Sequence, residues 1–329
     1  MKAIIVQNDK SLSWSDVSAP VIRSDEVLVR VCAAGVNRAD LLQREGNYPP
    51  PPGCPDWMGL EISGVIEAAG EEAKEKSNWK CGDKVCALLG GGGYAEYAAV
   101  RYDMLMPIPT GLNMVEAASL PEAYATAYLN LIHEAHLTAG QTLFVSAGAS
   151  GLASVAIPLA KAFGARVITS VRRDEQVKAV EALGADRVIQ STRHDVADAF
   201  AEEDRNGQPI CAVMDCLGGE LPGNCIPYMA RGGYWILIAT LSGTETTVPL
   251  RALLTKGLHL VGSTLRSRDP SFKAKLLAEL TERVWPMLSD GRLKPCIYKV
   301  FPITEADQAQ AVLRHGGHNG KVILKVSEP

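Results

Sequence analysis

The sequence predicts an α/β protein of two domains, a β-rich domain built from both ends of the chain and a doubly wound parallel sheet inserted into it. Three observations carry this. Residues 141–173, QTLFVSAGASGLASVAIPLAKAFGARVITSVRR, read as strand, glycine-rich turn, helix and strand, a βαβ unit. From there strands and helices go on alternating, the pattern of a parallel sheet with crossover helices. On both sides of that stretch lie β-rich segments separated by turn residues. The expected division is 1–121 with 266–329 for the β-rich domain and 122–265 for the parallel sheet. A chain of 329 residues is long for one core.

In chain order, MKAIIVQ, EVLVRVCAAGV, EISGVIEAAG, DKVCALL and YAEYAAV read as the strands of an antiparallel, barrel-like domain. NRADLLQREGNYPPPPG interrupts them with a short helix and a proline run. Pro49, Pro50, Pro51 and Pro52 have no N–H to offer a sheet interior and form an exposed rigid loop. Gly90 to Gly93 mark a tight turn. After MPIPTGLNM the apolar spacing turns helical through EAASLPEAYATAYLNLIHEA. The βαβ unit then reads as strand 142–146, turn 147–151, helix 152–163 and strand 166–170. The helix DEQVKAVEALGA, strand DRVIQ, helix DVADAFAEE and strand ICAVMDCLG follow, then a helix near LPGNCIPYMA and the strands YWILIAT and LHLVGSTL. Right-handed crossovers bring the turns at Ala147, Arg172, Ser191, Cys216 and Thr240 to one edge of the sheet. The tail adds an amphipathic helix, FKAKLLAELTERVWPMLSDG, and the strand-like CIYKVFPI and GKVILKV, which fold back onto the first domain.

Composition excludes several classes of function. With 47% hydrophobic and 21% charged residues the chain has the balance of a globular protein. Its net charge of −4 and lack of any long Lys/Arg cluster speak against a nucleic-acid partner. No apolar run reaches the roughly 18 residues of a membrane helix, and MKAIIVQNDK lacks the apolar core of a signal peptide, so a cytoplasmic home is expected. The eight cysteines are scattered and read as reduced thiols. Neither Cys81/Cys86 nor Cys211/Cys216 has C-x-x-C spacing, so no structural metal is expected. His133 and His136 read as helical. His194, His259, His315 and His318 have no evident carboxylate neighbour, so histidine offers no acid–base catalyst.

The glycine-rich turn carries chemistry. Gly148 and Gly151 let backbone N–H groups approach a pyrophosphate, Ala153 lets the helix pack closely on the sheet, and the helix N-terminus holds the phosphates. An NAD site places a carboxylate about 20 positions on, where it takes the ribose 2′-hydroxyl. Here the second strand runs into Arg172 and Arg173, with no carboxylate before Asp174. Two guanidiniums suit a 2′-phosphate, and the expected cofactor is NADPH. The same arginines also fit a solvated basic start to the next helix.

GVNRADLLQREGNYPPPPG, MGLEISGVI, GDKVCALL, GGYAEYA, SLPEAYATAY, the AGASGLA turn and NGKVILKV occur in order over nearly the whole chain. Together they resemble the zinc-free quinone oxidoreductase branch of the medium-chain dehydrogenase/reductase superfamily. The resemblance implies a GroES-like catalytic domain from both chain ends, a Rossmann domain between, a cleft separating them and a homodimer joined along Rossmann sheet edges. It implies NADPH-dependent reduction of a small planar quinone. Zinc-dependent members carry a ligand Cys at the position of Asn37 and a ligand His at that of Leu60. Neither residue here replaces a thiolate or an imidazole, so no catalytic zinc is expected. Removing hydride from an alcohol needs a Lewis acid, whereas adding it to a quinone yields a delocalised oxyanion that needs little help.

Position by position, the resemblance makes Tyr48, Asn37 and Asp40 the catalytic candidates. Tyr48 lies near nicotinamide and substrate, where its phenol either donates to a quinone oxygen or packs as a flat wall. Asn37 is a partner for the ribose or the acceptor, and Asp40 more simply holds its loop against Arg44. Thr126 matches a cofactor-proximal threonine. Ser150, Gly151 and Leu152 are expected on the pyrophosphate, and Arg172 and Arg173 on the 2′-phosphate. Ser191 stands beside the adenine, where several relatives have a tyrosine. Thr240, Leu241 and Leu265 hold the nicotinamide carboxamide through backbone groups, and Lys321 reaches the phosphates. Leu42 replaces a second tyrosine of many bacterial relatives, so no two-tyrosine clamp is expected. Two other readings stand beside quinone reduction. One is NADPH-dependent reduction of an activated alkene such as an enone. The other is a cofactor-binding structural or RNA-associated protein with little catalysis, which the acidic balance opposes.

Overall fold

Fifteen strands organise the chain in a computed structural model that describes residues 1–329. They fall in two units, Met1–Ala125 with Arg266–Pro329, and Thr126–Leu265. The first unit holds β1 (Lys2–Val6), β2 (Leu12–Asp16), β3 (Glu26–Val36), β4 (Glu61–Ala69), β5 (Lys84–Leu88), β6 (Tyr97–Arg101) and β7 (Leu105–Pro107). The second holds β8 (Thr142–Val145), β9 (Arg166–Val171), β10 (Arg187–Gln190), β11 (Ala212–Asp215), β12 (Tyr234–Leu237) and β13 (His259–Gly262). The tail returns β14 (Ile297–Pro302) and β15 (Lys321–Lys325) to the first unit.

In the first unit β1 and β2 pair as a hairpin, and the main sheet runs β14-β15-β3-β4-β5-β7 with β6 also on β3. Two register pairs matter for the site. β15 lies antiparallel to β3 with Val322 opposite Val36, which delivers Lys321 to the end of β3. β3 lies antiparallel to β4 with Ala34 opposite Ile62, which brings Glu61 beside Gly35. Gly35 is required there, because a Cβ would lie 2.2 Å from Glu61 Oε1. The tail helix Pro270–Ser289 starts on an Asp269 cap, whose side chain accepts from Ser271 N at 2.7 Å, with Pro270 in its first turn. Leu276, Leu280, Val284 and Leu288 recur every four residues along its buried face, and Trp285 Nε1 donates to Pro107 O at 2.6 Å.

The second unit is a six-stranded parallel sheet of order β10-β9-β8-β11-β12-β13. The order reverses between β8 and β11, the switch point at which such sheets bind ligands. The helix Ala153–Ala162 buries small and branched residues, Ala153, Val155, Ala156, Ile157, Leu159 and Ala160, and so lies close on the sheet. The far-side core includes Phe144, Phe200 and Trp235, with Phe144 edge-on to Phe200 at 5.0 Å.

Several local expectations change. The helical stretch 116–135 is not continuous: Met114–Ala117 ends, Pro121–Tyr128 restarts at a proline, and a π-turn, Leu129–Glu134, follows. Pro121 takes the first helical position, where its missing N–H costs nothing, and the run restarts there. His136 lies past that turn with φ 49°, not on a helix. The helices Glu71–Lys76, Leu250–Lys256 and Ala306–His315 add to the expected pattern.

Candidate active site

Asn37 and Asp40 open the helix Arg38–Glu45, and the ends of β3, β4 and β15 surround them. Glu61, fully buried, is the hub. Its Oε1 accepts from Asn37 Nδ2 at 2.9 Å and pairs with Lys321 Nζ at 2.5 Å, and its Oε2 accepts from Glu122 N at 2.8 Å. Lys321 Nζ also donates to Asn37 Oδ1 at 2.7 Å. The expectation that Lys321 reaches the cofactor phosphates is therefore corrected: its side chain is 3% exposed and held by a carboxylate and an amide. Asn37 likewise has its carboxamide oxygen and one N–H committed to this cluster, which leaves little of it for a ribose or an acceptor.

Asp40 is also buried. It accepts from Asn37 N at 2.8 Å, Gly59 N at 3.1 Å and Tyr94 Oη at 2.9 Å. Arg44 is not its partner. That guanidinium, one turn further along the helix, instead pairs with Asp307 at 2.5 Å and donates to Lys10 O and Gln310 Oε1. Burial pushes the Asp40 carboxyl up to about 6, against the pull of these hydrogen bonds and of the Lys321 charge. Asp40 thus holds the helix start to Gly59 and Tyr94.

Tyr48 is half-buried, and no protein group hydrogen-bonds its phenol. The guanidinium of Arg266 lies 4.9 Å from the ring centroid. Glu61 and Arg266 are the residues that motif reading misses. A carboxylate inside the apolar run MGLEISGVI is the available signal for Glu61.

At the rim of the second unit, Gly148 does not offer its N–H to a phosphate. It donates to Ser170 O at 2.8 Å, and its missing Cβ would lie 2.3 Å from Thr169 Oγ1, so this glycine serves close packing. Ser150 Oγ accepts from Ala153 N at 3.1 Å and caps the following helix, and Gly151 O accepts from Ser154 Oγ at 2.8 Å. Ser150 O takes the N–H of Ser154, and Leu152 O those of Val155 and Ala156. Arg172 is exposed at the end of β9 with no partner for its guanidinium, and Arg173 makes one loose 3.5 Å contact with Glu175. The next carboxylate, Asp174, is taken by Arg193 from the loop after β10. Ser191 donates to Val171 O through its N–H and its hydroxyl.

Beyond the switch point, Asp215 accepts from Leu217 N, Gly218 N and Trp235 Nε1 and so fixes the turn after β11. Leu241 N donates to Cys216 O at 3.2 Å, which commits that N–H to the protein. Thr240 is exposed, Leu265 is buried, and Thr126 O accepts from Asn130 Nδ2. These residues fit a dinucleotide: a capped helix start at the switch point, and exposed guanidiniums where an NAD site needs a free carboxylate. They do not fit zinc. No group of three or more His, Cys, Asp or Glu side chains is placed to hold a metal, and Leu60 has no donor.

Comparison with known proteins agrees with this architecture. The alcohol dehydrogenase GroES-like domain family matches residues 23–110, and the zinc-binding dehydrogenase family matches residues 151–282. A quinone oxidoreductase-like protein 2 homolog of Nematostella vectensis is 33% identical over 93% of this chain and 83% of its own. The quinone oxidoreductase of Sus scrofa is 30% identical over 94% of this chain and 92% of its own. The crystal structure of the Thermus thermophilus quinone oxidoreductase, also known in complex with NADPH, superposes with a TM-score of 0.80 at 30% identity, covering 99% of this chain and 100% of that one. A GroES-like unit and a Rossmann unit with a nicotinamide-dependent dehydrogenase fold define a medium-chain oxidoreductase. Within that superfamily the chain belongs to the quinone oxidoreductase family.

Proposed function

We propose that the protein is a zinc-independent, NADPH-dependent reductase of small planar quinones. One observation carries the reading: the catalytic unit closes its inner polar cluster with the Lys321 ammonium and leaves Tyr48 as the open hydroxyl. Asn37 and Leu60 do not offer the thiolate and imidazole of a zinc site, and reduction of an already electrophilic acceptor does not require a Lewis acid. When bound, the dinucleotide supplies the hydride. Arg172 and Arg173 hold its 2′-phosphate, and the turn at Ser150, Gly151 and Leu152 receives the pyrophosphate. Tyr48 offers its phenol to the acceptor oxygen. Asn37 and Asp40 keep the helix start beneath it in place, and neither moves a proton.

The chain is also proposed to form a homodimer along β13. Leu250, Leu254 and Leu260 are 73%, 83% and 46% exposed around this edge strand, an apolar strip that a second copy would cover. No helix is long and apolar enough to cross a membrane. Initial rates of NADPH oxidation with ortho-quinones, para-quinones and alkenals, in buffer treated with a chelator, test the activity. Turnover of a quinone is expected. Turnover of alkenals alone would replace the reading with alkene reduction, and dependence on added zinc would end it.

A further inference from the structure

Arg266 is 5% exposed, and each hydrogen bond it makes goes to a neutral oxygen. Nε donates to Gly90 O at 2.7 Å, one terminal nitrogen to Tyr48 O at 3.2 Å, and the other to Gln43 Oε1 at 2.7 Å. No carboxylate pairs with it. A guanidinium carries five N–H donors, so these three bonds leave part of its capacity and all of its charge uncompensated. A buried cation without an anion is costly and is seldom kept for packing alone. Lys273, half-buried, adds a second cation by donating to Arg266 O at 3.3 Å, and burial holds its ammonium below the usual lysine range. The opposing charge that reaches Tyr48 is that of Glu122.

The guanidinium is stacked on Tyr48 and bonded to its carbonyl, so it fixes the ring from behind. The phenol at the far end of that ring has no protein partner. We infer that Tyr48 and Arg266 form an oxyanion subsite: the phenol donates to the acceptor oxygen that becomes negative, and Arg266, as a positioning residue, aims the ring and supplies the charge behind it. This rests on the quinone-reductase reading of the same site. When hydride adds to the acceptor, a carbonyl π pair moves onto that oxygen, NADPH is oxidised to NADP⁺, and the oxygen afterwards takes a proton from water. Charge is therefore stabilised where it develops, by groups already in place.

The test separates charge from shape by equilibrium dialysis of the full chain at pH 9 with two probes, 4-nitrophenolate and its neutral analogue 4-nitroanisole. The wild type is expected to bind the phenolate at least tenfold tighter than the anisole. Arg266→Gln is expected to erase that ratio with the anisole unchanged, Arg266→Lys to restore part of it, and Tyr48→Phe to reduce it severalfold. A wild-type ratio near one overturns the subsite. So does an Arg266→Gln variant that weakens both probes alike, since that marks a merely structural arginine. If Arg266→Gln does not fold, Tyr48→Phe decides, and an unchanged ratio there overturns the proposal. Quinone turnover by the wild type is read separately. Phenolate preference without turnover would remove the functional reading and keep the anion subsite, and turnover without preference would do the reverse.

Discussion

The two units use cations in opposite ways. The GroES-like unit buries Lys321 and Arg266, whereas the Rossmann unit sets Arg172 and Arg173 in solvent at the end of β9. A buried cation must be answered by the protein or by a ligand, and Lys321 is answered inside the protein by Glu61, whereas Arg266 has no carboxylate partner. An exposed one costs little while it waits for a ligand. Between Lys321 on one side and Arg172 and Arg173 on the other, the difference separates structural charge from binding charge, and it predicts that their substitutions will fail in different assays.

The largest effect is expected at the buried pair. Lys321→Met leaves the Glu61 carboxylate without its cation, and urea unfolding should show a loss of about 3–5 kcal/mol. The double variant Lys321→Met with Glu61→Leu should recover much of that, as coupled partners do. A loss under about 1 kcal/mol in the single variant would mean that Lys321 is solvated and free to reach the cofactor after all.

Asp40 gives the next largest effect, and its sign is unusual for a carboxylate. Burial raises its folded pKa to about 6, above the ordinary value. Its contribution to stability is then fully present below about pH 4 and is lost as pH rises through about 6, by on the order of 3 kcal/mol. Urea unfolding between pH 4 and 7, read as the difference between wild type and Asp40→Asn, measures it. Tyr94→Phe removes a hydrogen bond that favours the carboxylate, so the loss should move to higher pH. A flat difference profile would show that Asp40 is hydrated in the folded protein.

The same contrast explains what is legible in the sequence. The Rossmann turn is local: strand, Gly148 to Gly151 and helix start are neighbours in the chain, and Arg172 and Arg173 follow directly from the strand they end. Even there the role of Gly148 escapes a local reading, since its close neighbour Thr169 comes from the next strand. The polar site of the GroES-like unit is assembled from afar. Asn37 meets Glu61 across 24 residues and Lys321 across 284, and Tyr48 meets Arg266 across 218. No periodicity reports such pairings; the register of β15 on β3 and of β3 on β4 sets those among Asn37, Glu61 and Lys321. Motif matching therefore finds the members Asn37, Tyr48 and Lys321 but gives Lys321 the wrong partner, and it passes over Glu61 and Arg266.

The smallest effect belongs to the exposed arginines, and it should appear in binding without appearing in stability. Wild type is expected to bind NADPH at least tenfold tighter than NADH, about 1.4 kcal/mol, in paired fluorescence titrations. Arg172→Ala with Arg173→Ala should remove that gap and leave the urea midpoint nearly unchanged, because neither guanidinium holds a strong partner in the fold. Salt sharpens the distinction. Exposed charges are screened over about 8 Å at physiological ionic strength, so the NADPH preference should shrink as salt rises, whereas the Lys321–Glu61 pair, shielded from solvent, should hold. Equal affinity for the two dinucleotides in the wild type would return Arg172 and Arg173 to a solvated helix start. A preference that survives the double substitution would move the 2′-phosphate to Arg193, whose release from Asp174 would then have to accompany binding.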